Sequence, residues 1–175
     1  MDFGRALATS FAVGSNRKFK EGEVDETELV TWGHALTSVA LLIVVQLVLI
    51  LWSMGGQFDA ASIGYVSVLA FVPLLVPFLV FWVGTLVTGT VARLPATVLY
   101  LGVALAVIQV VSAVFASFGP AKSGPALGVF LAFTFLAARG FLKVGWGPAI
   151  LVSVLSVGGL LGITFLLLVL SGNLR

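Results

Sequence analysis

The side chains able to do chemistry inside the long apolar stretches of this chain are few. Among them are the amides Gln46 and Gln109 and the hydroxyls Ser112, Ser153 and Ser156, with His34 at the edge of the first stretch. A serine nucleophile needs a base within reach. The chain has one histidine, at a stretch boundary, and no acid beyond Asp59, so no such pair forms in the core. Serines in membrane helices commonly donate instead to a carbonyl one turn back. Metal binding fails on ligand number, with one histidine, no cysteine and no acid in the apolar core. His34 alone does not make a haem site, and it reads as an interfacial residue. No glycine-rich nucleotide motif follows a strand. Catalysis is therefore the least expected class, and no cofactor is expected.

Proton-coupled pumps and voltage sensors use charges within the membrane, and the predicted spans carry none between their ends. The polar candidates that remain are Gln46 and Gln109. Their favoured reading is interhelical hydrogen bonding, worth about 0.6–2 kcal/mol in a bilayer; the other is contact with a polar solute. A broken helix can also bind solutes through freed carbonyls. Pro73 and Pro77, four residues apart on one face, are the candidate break.

The elements that hold these residues follow from composition. Of 175 residues, 60% are apolar and only 9% charged, with a mean hydropathy of +1.20. Soluble domains carry about 25% charged residues, so an all-α, polytopic membrane helix bundle is predicted. All seven acids lie at or before Asp59, and Ala60 onward holds five basic residues and no acid. No clustered basic face with stacking groups indicates nucleic acid.

In chain order, Phe3, Ala6, Leu7, Ser10 and Phe11 share one helical face before Gly14. This is either a short interfacial helix on the bilayer or a frayed tail. Arg17–Glu28 is basic then acidic and reads as a cytosolic linker, its basic half able to meet anionic headgroups. With no apolar run before it, the first hydrophobic helix is expected to be an uncleaved signal anchor. Residues 1–33 are thus taken as a cytosolic N-terminal segment and residues 34–175 as a five-helix bundle.

Span one is expected over Ala35–Met54, with Trp32 and Trp52 near its ends. Span two, Ile63–Ala92, is thirty residues without a charge. As one helix it measures roughly 45 Å against a hydrocarbon core of about 30 Å, so it must tilt or kink. Gly84, Thr85, Thr88 and Gly89 form a small-residue face in its later half, which makes it the expected hub for its neighbours. Span three covers Ala96–Phe118, and Gly119–Pro125 breaks it from span four, Ala126–Leu142. Span four is the weakest, needing Arg139 to snorkel to the interface. Span five runs from Pro148 to about Leu170, with small residues at Ala149 and Ser153 and a GxxxG pair at Gly158 and Gly162.

With the N-terminus cytoplasmic, the C-terminus outside and five spans, seven of the nine basic residues fall on the cytoplasmic side. A re-entrant span four would leave six there and three outside, so five spans fit better.

A short charged segment, five spans and no catalytic set resemble the Yip family of Rab-interacting membrane proteins and its prokaryotic relatives. The points of contact are Phe71-Val72-Pro73 and the basic turn Ala138-Arg139-Gly140-Phe141-Leu142-Lys143. Where the eukaryotic members carry Asp-Leu-Tyr-Gly-Pro before span one, this chain has Leu29-Val30-Thr31-Trp32-Gly33, which departs from the GTPase-binding members. The resemblance implies a non-enzymatic membrane adaptor, here expected in a bacterial or archaeal cell membrane. Together the readings lead to an adaptor or accessory subunit. Its partners are the lipid bilayer and another membrane protein or a second copy, held through Gly84, Thr85, Thr88, Gly89, Ala149, Ser153, Gly158 and Gly162. The rival reading is a channel or carrier for a small neutral solute at the Pro73/Pro77 break.

Overall fold

A computed structural model describes residues 3–14, 30–53, 60–117 and 124–171, and these are helical with no strand among them. The predicted loop at residues 55–59, the first five residues of the loop expected over Gly119–Pro125, and the charged linker at 17–28 lie outside the described residues, while Gly124 and Pro125 already belong to a helix. Helix α1 is Phe3–Gly14, α2 Trp32–Ser53, α3 Ala60–Phe71 and α4 Leu75–Thr88. A 3-10 turn at Val91–Arg93 leads into α5, Leu94–Ser117, followed by α6, Gly124–Phe141, and α7, Trp146–Leu170. Among the described residues, four stretches are long and apolar enough to cross a membrane: Trp32–Ser53, Ile63–Thr88, Val91–Ser117 and Trp146–Leu170. Pro125–Phe141 is apolar but shorter. Large apolar side chains such as Leu36, Val48, Leu86, Leu151 and Phe165 are exposed along these helices. Apolar exposure on this scale suits lipid as solvent.

Helix α2 begins where Thr31 caps it. The Thr31 N–H donates to His34 Nδ1 at 3.2 Å, and the amides of His34 and Ala35 donate to the Thr31 carbonyl at 3.1 and 3.2 Å. His34 thus fills the reach-back position of a capping box, a place usually held by Glu or Gln.

Span two is not one helix. The chain turns between Phe71 and Leu75, with Pro73 inside the turn. Here the amides of Leu74, Leu75 and Val76 donate to the carbonyls of Phe71, Val72 and Pro73, three residues back. The Val76 amide thereby satisfies the Pro73 carbonyl, which Pro77 has no N–H to reach. Only Pro73 therefore sits in the break; Pro77 lies in the first turn of α4, where a missing donor is tolerated. Both prolines are buried. The helix also stops at Thr88, four residues before the expected end. Gly89 adopts φ +70°, and its amide and that of Thr90 both reach the Thr85 carbonyl. A residue in the left-handed region is the common helix stop, and glycine takes it without strain.

The centre of the bundle is α5 rather than the proline-containing helix. It packs against α2, α6, α1 and α4, and Leu99 to Ala106 is buried on every side. Two glycines make this closeness attainable. A Cβ at Gly102 would stand 2.5 Å from Ser38 Oγ and 3.1 Å from the Ser38 backbone carbon on α2. The Ser38 hydroxyl uses the approach to donate to the Val98 carbonyl across the two helices at 3.3 Å. At Gly140, near the end of α6, a Cβ would collide with the Val13 carbonyl.

That second contact belongs to α1, which folds onto α5 and α6. Its buried line is Ala6, Ser10, Val13 and Gly14, a small-residue face, with Phe11 4.7 Å from the Tyr100 ring. Tyr100 is almost wholly buried, ringed by Phe11, Phe133 and Phe141, and donates to the Phe133 carbonyl at 3.3 Å. The apolar face read from the sequence thus meets protein. Arg93 closes the same end, donating from Nη1 to the Gly140 carbonyl at 3.1 Å. Beside it the Arg139 guanidinium lies 4.8 Å from the Trp146 ring centroid, a cation–π arrangement.

Candidate functional site

Away from α1 the bundle loosens, and the two mid-helix amides line a single cavity. It lies between α2, α3 and α5 with a volume of about 360 Å³. Gln46, Ile50 and Ser53 come from α2, Val66, Leu69 and Ala70 from α3, and Gln109, Ser112 and Ala113 from α5. Gln46 belongs to the buried seam of α2, which runs Ala35, Ser38, Leu42, Gln46, Ile50 at spacings of three or four and faces α5. That seam carries the amide out of lipid and into the wall of the cavity. Gln109 and Ser112, a turn apart on α5, also line a second cavity of about 230 Å³ against α6 and α7.

The interhelical bond expected of these amides is not made among the described residues. No hydrogen bond joins Gln46 to Gln109, and the buried Oε1 of Gln46 has no partner. The Ser53 hydroxyl is already committed to the Ile50 carbonyl at 2.8 Å. A buried carbonyl oxygen without a donor costs roughly 1–3 kcal/mol, and this one is closed off within the wall, where not even a water molecule reaches it.

The proline break does not open inward. Pro73, Leu74 and Pro77 are buried, while Leu75 and Leu79 point outward at 57% and 54% exposure. With Phe78, Trp82, Leu94 and Val98 they line an apolar groove of about 270 Å³ on the outer surface. The chain turn and the polar cavity are neighbours along the chain, since Leu69 and Ala70 precede the turn, but they are separate features.

The small residues divide into three groups. Those packing within the chain include Gly84, whose added Cβ would come 2.8 Å from Leu142 Cδ1, and Thr85, fully buried and donating to the Trp82 carbonyl. Ala149 and Ser153 are likewise buried on α7, with the Ser153 hydroxyl on the Ala149 carbonyl at 2.7 Å. The second group serves the helix end. Thr88 donates to the Gly84 carbonyl and pairs with the Thr90 hydroxyl, and Gly89 is the cap, exposed and with nothing within 4 Å of an added Cβ. Gly89 is thus a stop for α4 and packs on no neighbouring helix.

Gly158 and Gly162 form the third group. Both are exposed, and nothing stands within 4 Å of where their Cβ atoms would be. At 3.6 residues per turn Gly158 lies roughly opposite Ala149, so the GxxxG pair faces away from the buried stripe of Ala149, Ser153, Ser156 and Val157. The close approach inside the chain is made instead by Gly159, where a Cβ would meet Val76 Cγ1 at 2.7 Å. Gly159 stands outside the GxxxG pattern, since Leu155 and Ile163 lie four residues to either side of it. Its phase with Ser156 and Val152, three and seven residues earlier, was the available signal.

Comparison with protein-family models, with curated proteins and with solved structures finds no match.

Proposed function

We propose that this chain is a non-catalytic multi-pass membrane protein that works by helix–helix association, as an adaptor or accessory subunit, in the manner that its Yip-like organisation implies. In this reading α6 serves as a fifth crossing, with the N-terminus cytoplasmic and the C-terminus outside in a bacterial or archaeal cell membrane. The observation that carries it is the outward GxxxG pair of α7, Gly158 and Gly162, against which no described residue packs. Small residues at this spacing let a second backbone come near, and association in lipid depends on such packing because apolar surface alone gives no drive. The same side of α7 borders a wholly apolar groove of about 420 Å³ through Leu151 and Leu155, which extends the surface offered to a partner helix.

A cysteine placed at Leu161, exposed beside the two glycines, tests this on a chain that has no other cysteine. Oxidative crosslinking in native membranes should yield a discrete dimer or a single heterologous adduct. If Leu161→Cys stays monomeric and Leu41→Cys on α2 crosslinks as well or better, the α7 face is not the contact.

A carrier for a small neutral solute is the second reading, favoured by the cavity holding Gln46 and Gln109 beside α3. A water-soluble thiol reagent should then modify Ala70→Cys from one side of the membrane and, after a solute-driven change, from the other. Labelling from one side only, under all conditions, contradicts transport.

A further inference from the structure

We propose that the outward groove between α4 and α7 seats one acyl chain of an acidic phospholipid, whose phosphate head is met at the mouth of the groove by Lys143. The inference goes beyond the helix-association reading. Gly158 and Gly162 are not among the residues lining the groove, so a lipid seated there leaves that pair open.

Groove and charge meet at the connection between α6 and α7. Leu142 and Val144 both line the groove, and Lys143 stands between them. Its backbone takes φ +53°, a region that residues other than glycine seldom adopt. Leu142 is buried against Gly84 of α4, whereas Lys143 is exposed. The turn thus commits one residue to the groove wall and leaves the next, a lysine, at its edge.

Depth and length suit one leaflet. Trp146, three residues after Lys143, is 66% exposed, and exposed tryptophans at helix ends mark the headgroup level. From this level the groove follows α4 from Thr88 back to Leu79, roughly 13 Å of helix. Half of a hydrocarbon core of about 30 Å is nearly the same length. The groove is wholly apolar along its course and opens away from the bundle, so a chain can enter it sideways from the bilayer.

Charge selects the head. Every acid of the chain lies at or before Asp59, so α4, α6, α7 and the turns joining them supply only cations. Arg93 donates to the Gly140 carbonyl and Arg139 lies over the Trp146 ring. Two further positive charges are thereby fixed around the turn that holds Lys143. Each such cation at the headgroup level favours an anionic lipid; a choline head would bring a positive charge of its own.

Photolabelling of the full chain in nanodiscs tests this, using phosphatidylglycerol with a diazirine on one acyl chain. Labelling should saturate and map to residues 79–88 and 142–155. Unlabelled phosphatidylglycerol should compete better than phosphatidylcholine with the same chains. Lys143→Gln should reduce that preference about fivefold, the share of one cation near the surface, and Lys143→Arg should keep it. Val83→Trp, at a groove position that is 51% exposed, should remove the labelling while circular dichroism shows the helices retained. Equal competition by the two lipids, an unchanged preference in Lys143→Gln, or undiminished labelling in Val83→Trp would each overturn the proposal. So would labelling that appears only in Gly158→Leu/Gly162→Leu, which would assign the groove to a partner helix.

Discussion

The two ends of this bundle are built on opposite terms. At the α1 end, glycines bring backbones together: Gly102 against Ser38, Gly140 against Val13 and Gly14 against the Tyr100 ring. The result is a segment of α5, Leu99 to Ala106, buried on every side. At the far end the same helix exposes Val107, Val110, Val114 and Phe115 and borders two cavities. The apolar character hardly changes along α5; the small-residue contacts do. In lipid, where burying a leucine against another helix gains little over burying it in acyl chains, backbone proximity decides which part of a bundle is closed. The closed end is a platform, and the open end is where the unsatisfied amide of Gln46 lies.

The sharpest way to break this contrast is to fill the closed end. Gly102→Leu would drive a branched side chain into the Ser38 backbone, and overpacking of this kind costs about 3 kcal/mol. Unfolding in a bilayer-mimetic detergent should register the loss, whereas Gly158→Leu, which meets nothing within the chain, should leave stability unchanged. Similar losses for the two variants would show that both surfaces are internal.

A smaller effect is expected at Gly89. With φ at +70°, alanine there should cost about 1 kcal/mol through backbone strain. A loss near zero would mean that α4 can run on toward Ala92, as its uncharged run suggested. Smallest is Tyr100→Phe, which removes the 3.3 Å bond to the Phe133 carbonyl but keeps the ring in its aromatic cluster. Interhelical bonds in membranes average about 0.6 kcal/mol. A loss of several times that would make the hydroxyl, rather than ring packing, the fastening of the closed end.

The helices themselves were readable from uncharged runs and from prolines and glycines between them, and the small face of α1 from its spacing. What could not be read was which side of each helix meets protein. Every face of a membrane helix is apolar, so hydropathy does not separate lipid from neighbour. That is why hydropathy and the small-residue face point to the long uncharged run ending at Ala92 as the hub, while in the structure α5 takes the role. The signal in α5 was Gly102, Ala104 and Ala106 within five residues, small side chains that a crowded helix needs. Gln46 was visible as a mid-membrane amide, yet whether it meets a bond or a cavity depends on the packing of α3, set by the turn at Pro73. At Gly158 and Gly162 the pattern was plain, but its direction came only from the phase of α7 against Ala149 and Ser153.

That direction carries the central claim. The direct test is native mass measurement of the full chain extracted in mild detergent, wild type beside the double variant Gly158→Leu/Gly162→Leu. The account predicts that the wild type travels with a second copy or a defined membrane partner, and that the variant loses it while keeping its helical fold by circular dichroism. A monomer in both, or a partner retained in the variant, would contradict it.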